Sequence, residues 1–188
     1  TEAFLSGPGG IAMGPDAHIY VADIWNQRIR AIDPVTGHIR TVAGNGARAH
    51  GGDGGPATDA SLGSPHDVSV DSMGRVVIAD TRHGYVRRVD EDGTIRALAG
   101  CALRGDGGDG GPATGASLLH VQAVAHGPDG DIYVGDAIGR IRRIDEETGT
   151  IITVAGTGVQ GYTGDGGLAM EARIGAPTAI RFDGDGNL

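Results

Sequence analysis

Few side chains in this sequence are equipped for chemistry, and most of them are histidines. A protein-bound metal needs two or three imidazoles or carboxylates converging from separate segments. His66, in Ser64-Pro65-His66-Asp67, and His120, in Leu119-His120-Val121-Gln122, provide two. They are candidate ligands for a divalent metal and, through it, candidate catalytic residues. Cys101 is the single thiol, which excludes an intrachain disulfide. A thiol beside an imidazole can act as a nucleophile when a base lies in reach. Gly100-Cys101-Ala102 carries no signature of such a site and reads equally as a tight turn. Trp25, His66, His83, Gln122, Tyr162 and Thr178 form a candidate ligand-binding set, through ring stacking and hydrogen bonding.

The elements that position these residues follow from an internal repeat. Asp53, Asp109 and Asp165 each stand in Gly-Asp-Gly-Gly, 56 residues apart both times. Asp23, Asp80 and Asp136 recur at intervals of 57 and 56, each closing an apolar run such as Ile19-Tyr20-Val21-Ala22 or Val76-Val77-Ile78-Ala79. Every unit holds four short β-branched runs separated by Gly and Asp turns, and none shows helical periodicity. Four antiparallel strands per repeat predict an all-β protein built of propeller blades. The blades are expected at about 8–44, 65–100 and 121–156. Residues 177–188 are expected to begin a fourth, with 177–183 as its first strand.

These residues resemble a known family. Asp23-Ile24-Trp25-Asn26-Gln27-Arg28-Ile29-Arg30, followed by Thr36-Gly37-His38-Ile39-Arg40-Thr41-Val42-Ala43-Gly44, is similar to the NHL-repeat signature. So are Ser64-Pro65-His66-Asp67-Val68-Ser69-Val70-Asp71 and the Gly-Asp-Gly-Gly-Pro-Ala inserts at 52–57 and 108–113. The resemblance covers nearly the whole chain and implies a closed propeller, usually of six blades. Some six-bladed relatives are metal-dependent lyases, lactonases or phosphotriesterases with a metal on the ring axis, and some NHL domains bind RNA. The third unit departs from the signature: Ala137-Ile138-Gly139-Arg140 is one residue short, which predicts a tighter hairpin.

In a blade, the connections between the fourth and first strands and between the second and third share one face. His50, His66, His83, His120, Trp25, Cys101 and Tyr162 fall on that face. His66 and His120 stand where the chain enters the innermost strand, at the mouth of the axial channel. His18 and His38 fall on the opposite face, and His126 aligns with Val70 and Phe182 as a core position. The recurring Asp and Arg predict within-blade ion pairs across each hairpin: Asp23 with Arg28, Asp80 with Arg87, and Asp136 with Arg140 or Arg142. Each Gly-Asp-Gly-Gly insert offers too few carboxylates to assemble a calcium site. The expectation there is an ordered loop at the channel mouth, its Asp bonded to backbone amides. Arg104-Gly105-Asp106 spells the integrin tripeptide, three letters that alone carry no function.

Composition narrows the function. The 36 Gly and 8 Pro recur at fixed intervals, which argues against disorder. A net charge of −9 opposes binding to phosphate backbones, so no nucleic-acid partner is expected. No apolar run of membrane-spanning length occurs, so no membrane partner is expected either. The leading expectation is a binding domain, extracellular or periplasmic, that recognises a small molecule or a protein at the channel-mouth face. The alternative is a small metal-assisted hydrolase or lyase acting on an ester, lactone or phosphotriester through His66 and His120. Three blades cannot close a six-bladed ring, so a second copy of the chain is expected to complete it.

Overall fold

A computed structural model describes residues 3–101, 103 and 105–188. Arg104, the first residue of the integrin-like tripeptide, lies outside that set. The fold is all-β, with three four-stranded antiparallel sheets, each a simple meander. The first contains β1 (Pro8–Met13), β2 (Ile19–Asp23), β3 (Arg28–Ile32) and β4 (Ile39–Ala43). The second contains β5 (Pro65–Val70), β6 (Val76–Asp80), β7 (Tyr85–Val89) and β8 (Ile95–Ala99). The third contains β9 (Ala123–His126), β10 (Ile132–Asp136), β11 (Arg140–Ile144) and β12 (Ile151–Ala155).

The sheets pack face to face in chain order, with β1, β5 and β9 as adjacent inner strands and β4, β8 and β12 outermost. Two apolar layers join them, because both faces of a middle blade must be buried. Tyr20, Ala22, Ile29 and Ala43 of blade one meet Val76, Ile78 and Ile95 of blade two. Val77, Ala79, Val86 and Ala99 on the other face of blade two meet Ile132, Val134, Ile144 and Ile151 of blade three. The b–c hairpin of blade three is one residue tighter, with Asp136 opposite Arg140 across a Gly139 turn at φ +84°.

The expected strand at 177–183 does not form. The segment instead lies on blade three through side chains. Ile180 is buried against Ala123 and Ala125, and Phe182 meets Tyr133 edge to face with ring centroids 4.8 Å apart.

The inserts also depart from expectation. They do not sit at the channel mouth but run along the outer rim. In the first insert, Gly44 N donates to Ala57 O behind it, while Gly54 N donates to Ile95 O and Ala57 N to Gly93 O ahead of it. The second insert repeats this from Gly100 to Ile151 and Gly149. Each insert therefore staples the outer strand of one blade to that of the next.

Candidate functional site

Three places on the molecule collect polar side chains, and each is set by the repeat. The first is the clamp beneath each insert. Arg87 of β7 is fully buried; its Nε and Nη2 donate to Asp53 Oδ1 at 3.1 and 2.7 Å. Its remaining donors reach Ser61 O at 2.9 Å and Gly51 O at 3.1 Å. Arg142 of β11 repeats the arrangement with Asp109, Ser117 O and Gly107 O. The insert aspartates thus bind guanidinium groups, and Asp109 also accepts an expected backbone amide, from Thr153 at 3.1 Å. The Arg87 and Arg142 pairing therefore crosses from insert to blade. The hairpin pairs are correspondingly loose: Asp80 to Arg87 is 3.8 Å, and Asp23 lies 3.9 Å from Arg30. Arg28, expected on Asp23, donates to the carbonyls of Asn26 and Asn45. The buried hairpin carboxylates hold the incoming chain instead, with Ser6 N donating to Asp23 and Gly63 N to Asp80, each at 2.8 Å. Asp136 has no such incoming amide among the described residues, and burial pushes its carboxyl up to about 6, against the amide of Arg140 and the charge of Arg142.

The second place is the face carrying His66 and His120. Burial lowers the pKa of His66, and the charge of His120 adds to the effect. Ser64 and His120 both turn the chain into an inner strand at positive φ, +56° and +48°. Gln27, buried and unforeseen from the sequence, fixes the first of these turns by accepting a 2.6 Å bond from Ser64 N. Among the described residues, the group of three ligating side chains brought within 4.8 Å is His50, Asp80 and His83, and neither His66 nor His120 belongs to it. Among the described residues no third ligating side chain gathers with His66 and His120. His50 itself stacks on Tyr85 at 4.0 Å, and burial followed by the Arg87 charge lowers its pKa. At the same position in blade three, Asp106 pairs with Arg140 at 3.2 Å. The contact between insert and third strand therefore recurs with different chemistry, which marks it as architectural.

The other candidates on this face are dispersed. Trp25 is 66% exposed and covers Gly7, where a Cβ would strike its ring. Tyr162 is 96% exposed, Thr178 is exposed and Gln122 is half-buried. Among the described residues, Cys101 Sγ has Ser117 Oγ at 3.8 Å and Leu103 O at 3.9 Å as its polar neighbours, neither of them a base.

The third place is the axial cleft between the inner strands. A cavity of about 320 Å³ opens toward the end opposite His66 and His120, lined by residues 11–13, 68–70, 125–126 and 180–182. Most of its lining residues carry apolar side chains, Ile11, Met13, Val68 and Ile180 among them, while backbone and polar groups also reach its surface. Three polar side chains break that wall: Ser69, His126 and Arg181. His126 is not a plain core residue, since its Nδ1 lies 2.9 Å from Ser69 Oγ, which also accepts its backbone N–H at 3.1 Å. Burial holds this imidazole below its ordinary pKa. A serine hydroxyl donating to Nδ1 leaves the proton on Nε2, a second donor for the cleft. Beside the cavity, buried Asp67 ties the inner strands together by accepting Val68 N and Val124 N at 2.9 and 3.0 Å. Gly10 makes room for it, because a Cβ there would meet Asp67 Oδ1 at 1.8 Å. Burial raises the Asp67 pKa, opposed by those amides and the charge of Arg181. A larger hollow of about 500 Å³ lies at the rim between Tyr20, Arg40 and residues 54–58 and 89–94, where backbone and turn residues supply most of the wall.

Known proteins share this organisation. Residues 35–105 match the model of the Teneurin NHL domain. Protein SUPPRESSOR OF QUENCHING 1 of Arabidopsis thaliana is 34% identical over 52% of this chain, and Teneurin-m of Drosophila melanogaster is 30% identical over 82%. The chain spans only 9% and 6% of those two proteins. A protein of unknown function from Bacteroides thetaiotaomicron superimposes with a TM-score of 0.73 at 21% identity, over 96% of this chain and 43% of that one. An auxiliary nutrient binding protein from Bacteroides ovatus gives 0.69 at 22% identity, over 96% and 44%. With blades recurring every 56 or 57 residues and a match to an NHL domain across the first insert, the chain is an NHL-repeat β-propeller.

Proposed function

We propose that this chain is a binding module whose axial cleft takes a small molecule with an apolar body and one anionic or acceptor group. The observation that carries the reading is the lining of the 320 Å³ cavity, whose side chains are apolar except for Ser69, His126 and Arg181. A concave apolar site with a few convergent polar groups is the usual form of a small-molecule site. His126, held neutral, and Arg181 supply donors only, which selects an acceptor such as a carboxylate. Likeness to an auxiliary nutrient binding protein supports a binding role at the level of fold. Fold-level likeness extends equally to a streptogramin B lyase and a gluconolactonase-like protein, but among the described residues no third ligating side chain gathers with His66 and His120. Titration calorimetry with hexanoate and hexanol tests the reading. Hexanoate is expected to bind and hexanol much less. Arg181→Ala should weaken hexanoate about tenfold or more, the equivalent of one charge-assisted hydrogen bond. Equal affinity for both probes, or unchanged binding in the variant, would refute it.

A further inference from the structure

The hairpin aspartates share one place in the blade and meet different neighbours there. In blade one, Asn26 Nδ2 donates to both oxygens of Asp23, at 3.0 and 2.9 Å. Blade two carries His83 at the position of Asn26, with its Nδ1 3.3 Å from Asp80 Oδ1. The second oxygen, Asp80 Oδ2, is buried and has no hydrogen-bond partner among the described residues. Arg87 Nη1 stands 3.8 Å from it, but that guanidinium directs its hydrogens to Asp53, Ser61 O and Gly51 O. Asp136 Oδ2 in blade three is likewise unpartnered, yet its hairpin of Ala137, Ile138 and Gly139 brings no imidazole to it.

A second imidazole reaches Asp80 from the first insert. His50, Asp80 and His83 each present one ligand atom, and these atoms lie within 4.8 Å of one another. The elements that carry them are fixed. His83 ends a 3-10 turn over Thr81–His83, which Gly84 closes at φ +69°. Arg82 N donates to Gly63 O at 2.9 Å and Thr81 Oγ1 to Val121 O at 2.5 Å, so the turn is tied on two sides. The stack on Tyr85 is the architectural part of the insert contact, and it holds the His50 ring within 9° of parallel. Gly63 leaves the space between them: a Cβ there would stand 2.1 Å from His83 Cε1 and 3.1 Å from Asp80 Oδ1. Asp53 Oδ2, 4.0 Å from His50 Nε2, borders the group with a second carboxylate. The next insert carries Asp106 in place of His50, paired with Arg140, so the constellation is particular to blade two among the described residues.

We infer that His50, Asp80 and His83 form a site for a divalent transition metal of the zinc type, which pins the first insert to blade two. Two imidazoles and a carboxylate suit such an ion, with water completing its shell. Calcium and magnesium take oxygen donors in larger number than this group offers. Tetrahedral bonds of about 2.0–2.1 Å set ligand atoms roughly 3.3–3.4 Å apart. His83 Nδ1 and Asp80 Oδ1 already stand at 3.3 Å, and His50, with 30% of its side chain exposed, has room to complete the set. The ion would lie against the buried carboxylate whose second oxygen has no partner. This site is independent of what the cleft binds.

Titration calorimetry of the whole chain with zinc chloride tests it, and the parent should take up one ion per chain. His83→Asn recreates the arrangement of Asn26 and Asp23, so it removes a ligand and keeps the hairpin. His50→Phe removes the other nitrogen and keeps the stack on Tyr85. Each should weaken zinc binding by about 10–100-fold or more, the scale on which even a supporting contact is felt. Zinc should also raise the thermal midpoint of the parent more than that of either variant. His66→Ala should bind zinc as the parent does, and a loss there would place the ion on the axis and overturn the inference. A parent that binds no zinc, or either imidazole variant binding it as tightly as the parent, would overturn it equally.

Discussion

The hairpin aspartates show how one residue type does different work in successive blades. Asp80 is fully buried and accepts Gly63 N at 2.8 Å, so it fixes the chain where it enters β5. Asp80→Ala leaves that amide unpaired and removes a carboxylate facing buried Arg87. The loss should be about 1–3 kcal/mol, and a thermal melt equal to the parent's would exclude it. Asp136 lacks the incoming amide, and burial raises its carboxyl to about 6. A carboxyl whose pKa rises on folding stabilises the fold in its protonated form. That contribution is complete below the ordinary value of 3.8 and is lost as pH climbs through about 6. Asp136→Asn is uncharged throughout, so its stability relative to the parent should improve between pH 4 and pH 7. The swing should be as much as about 2–3 kcal/mol, from a shift of roughly two pKa units. Urea melts of both proteins at the two pH values measure it, and a constant difference would contradict it.

At the scale of elements, the inserts hold the blades in register. Asp109 joins its loop to buried Arg142 and accepts Thr153 N at 3.1 Å, so one carboxylate touches both the third and fourth strands of blade three. Asp109→Ala should destabilise by about 1–3 kcal/mol. That is less than the 3–5 kcal/mol roughly expected for an enclosed pair, because Asp109 is itself 42% exposed and water can reach the arginine. Denaturant unfolding decides this, and a variant as stable as the parent would show the clamp to be inert. The loop has little freedom to be rebuilt. Gly108 lies at φ +95°, and a Cβ on it would stand 2.7 Å from Ala116 Cα.

For the whole molecule, the sequence carried the architecture and much less of the sites. Strand positions were legible because β-branched runs alternate with Gly and Asp turns at a fixed period, which local sterics and burial alone enforce. The clamp was hidden, since Asp53 and Arg87 are 34 residues apart and the repeat points equally to the nearer Asp80. His126 was hidden for a related reason. Its alignment with Val70 and Phe182 describes a core position, and only the proximity of β5 and β9 brings Ser69 to its ring. Ser64 and His120 share a left-handed turn into the inner strand, a backbone feature that the side-chain pattern of the repeat does not spell out.

Because the first two inserts reach forward, the natural unit of exchange in this protein is out of phase with the blade. A cut at Gly51 and another before Gly107 would lift out an insert together with the arginine and outer strand it serves. Cuts placed at the blade's own edges would strand each aspartate away from its arginine. Recombination between relatives at the first kind of boundary keeps each of these insert aspartates with its arginine, whatever the inner loops have become. Selection on such chimaeras would let the residues around the axis diversify while the rim stays interchangeable.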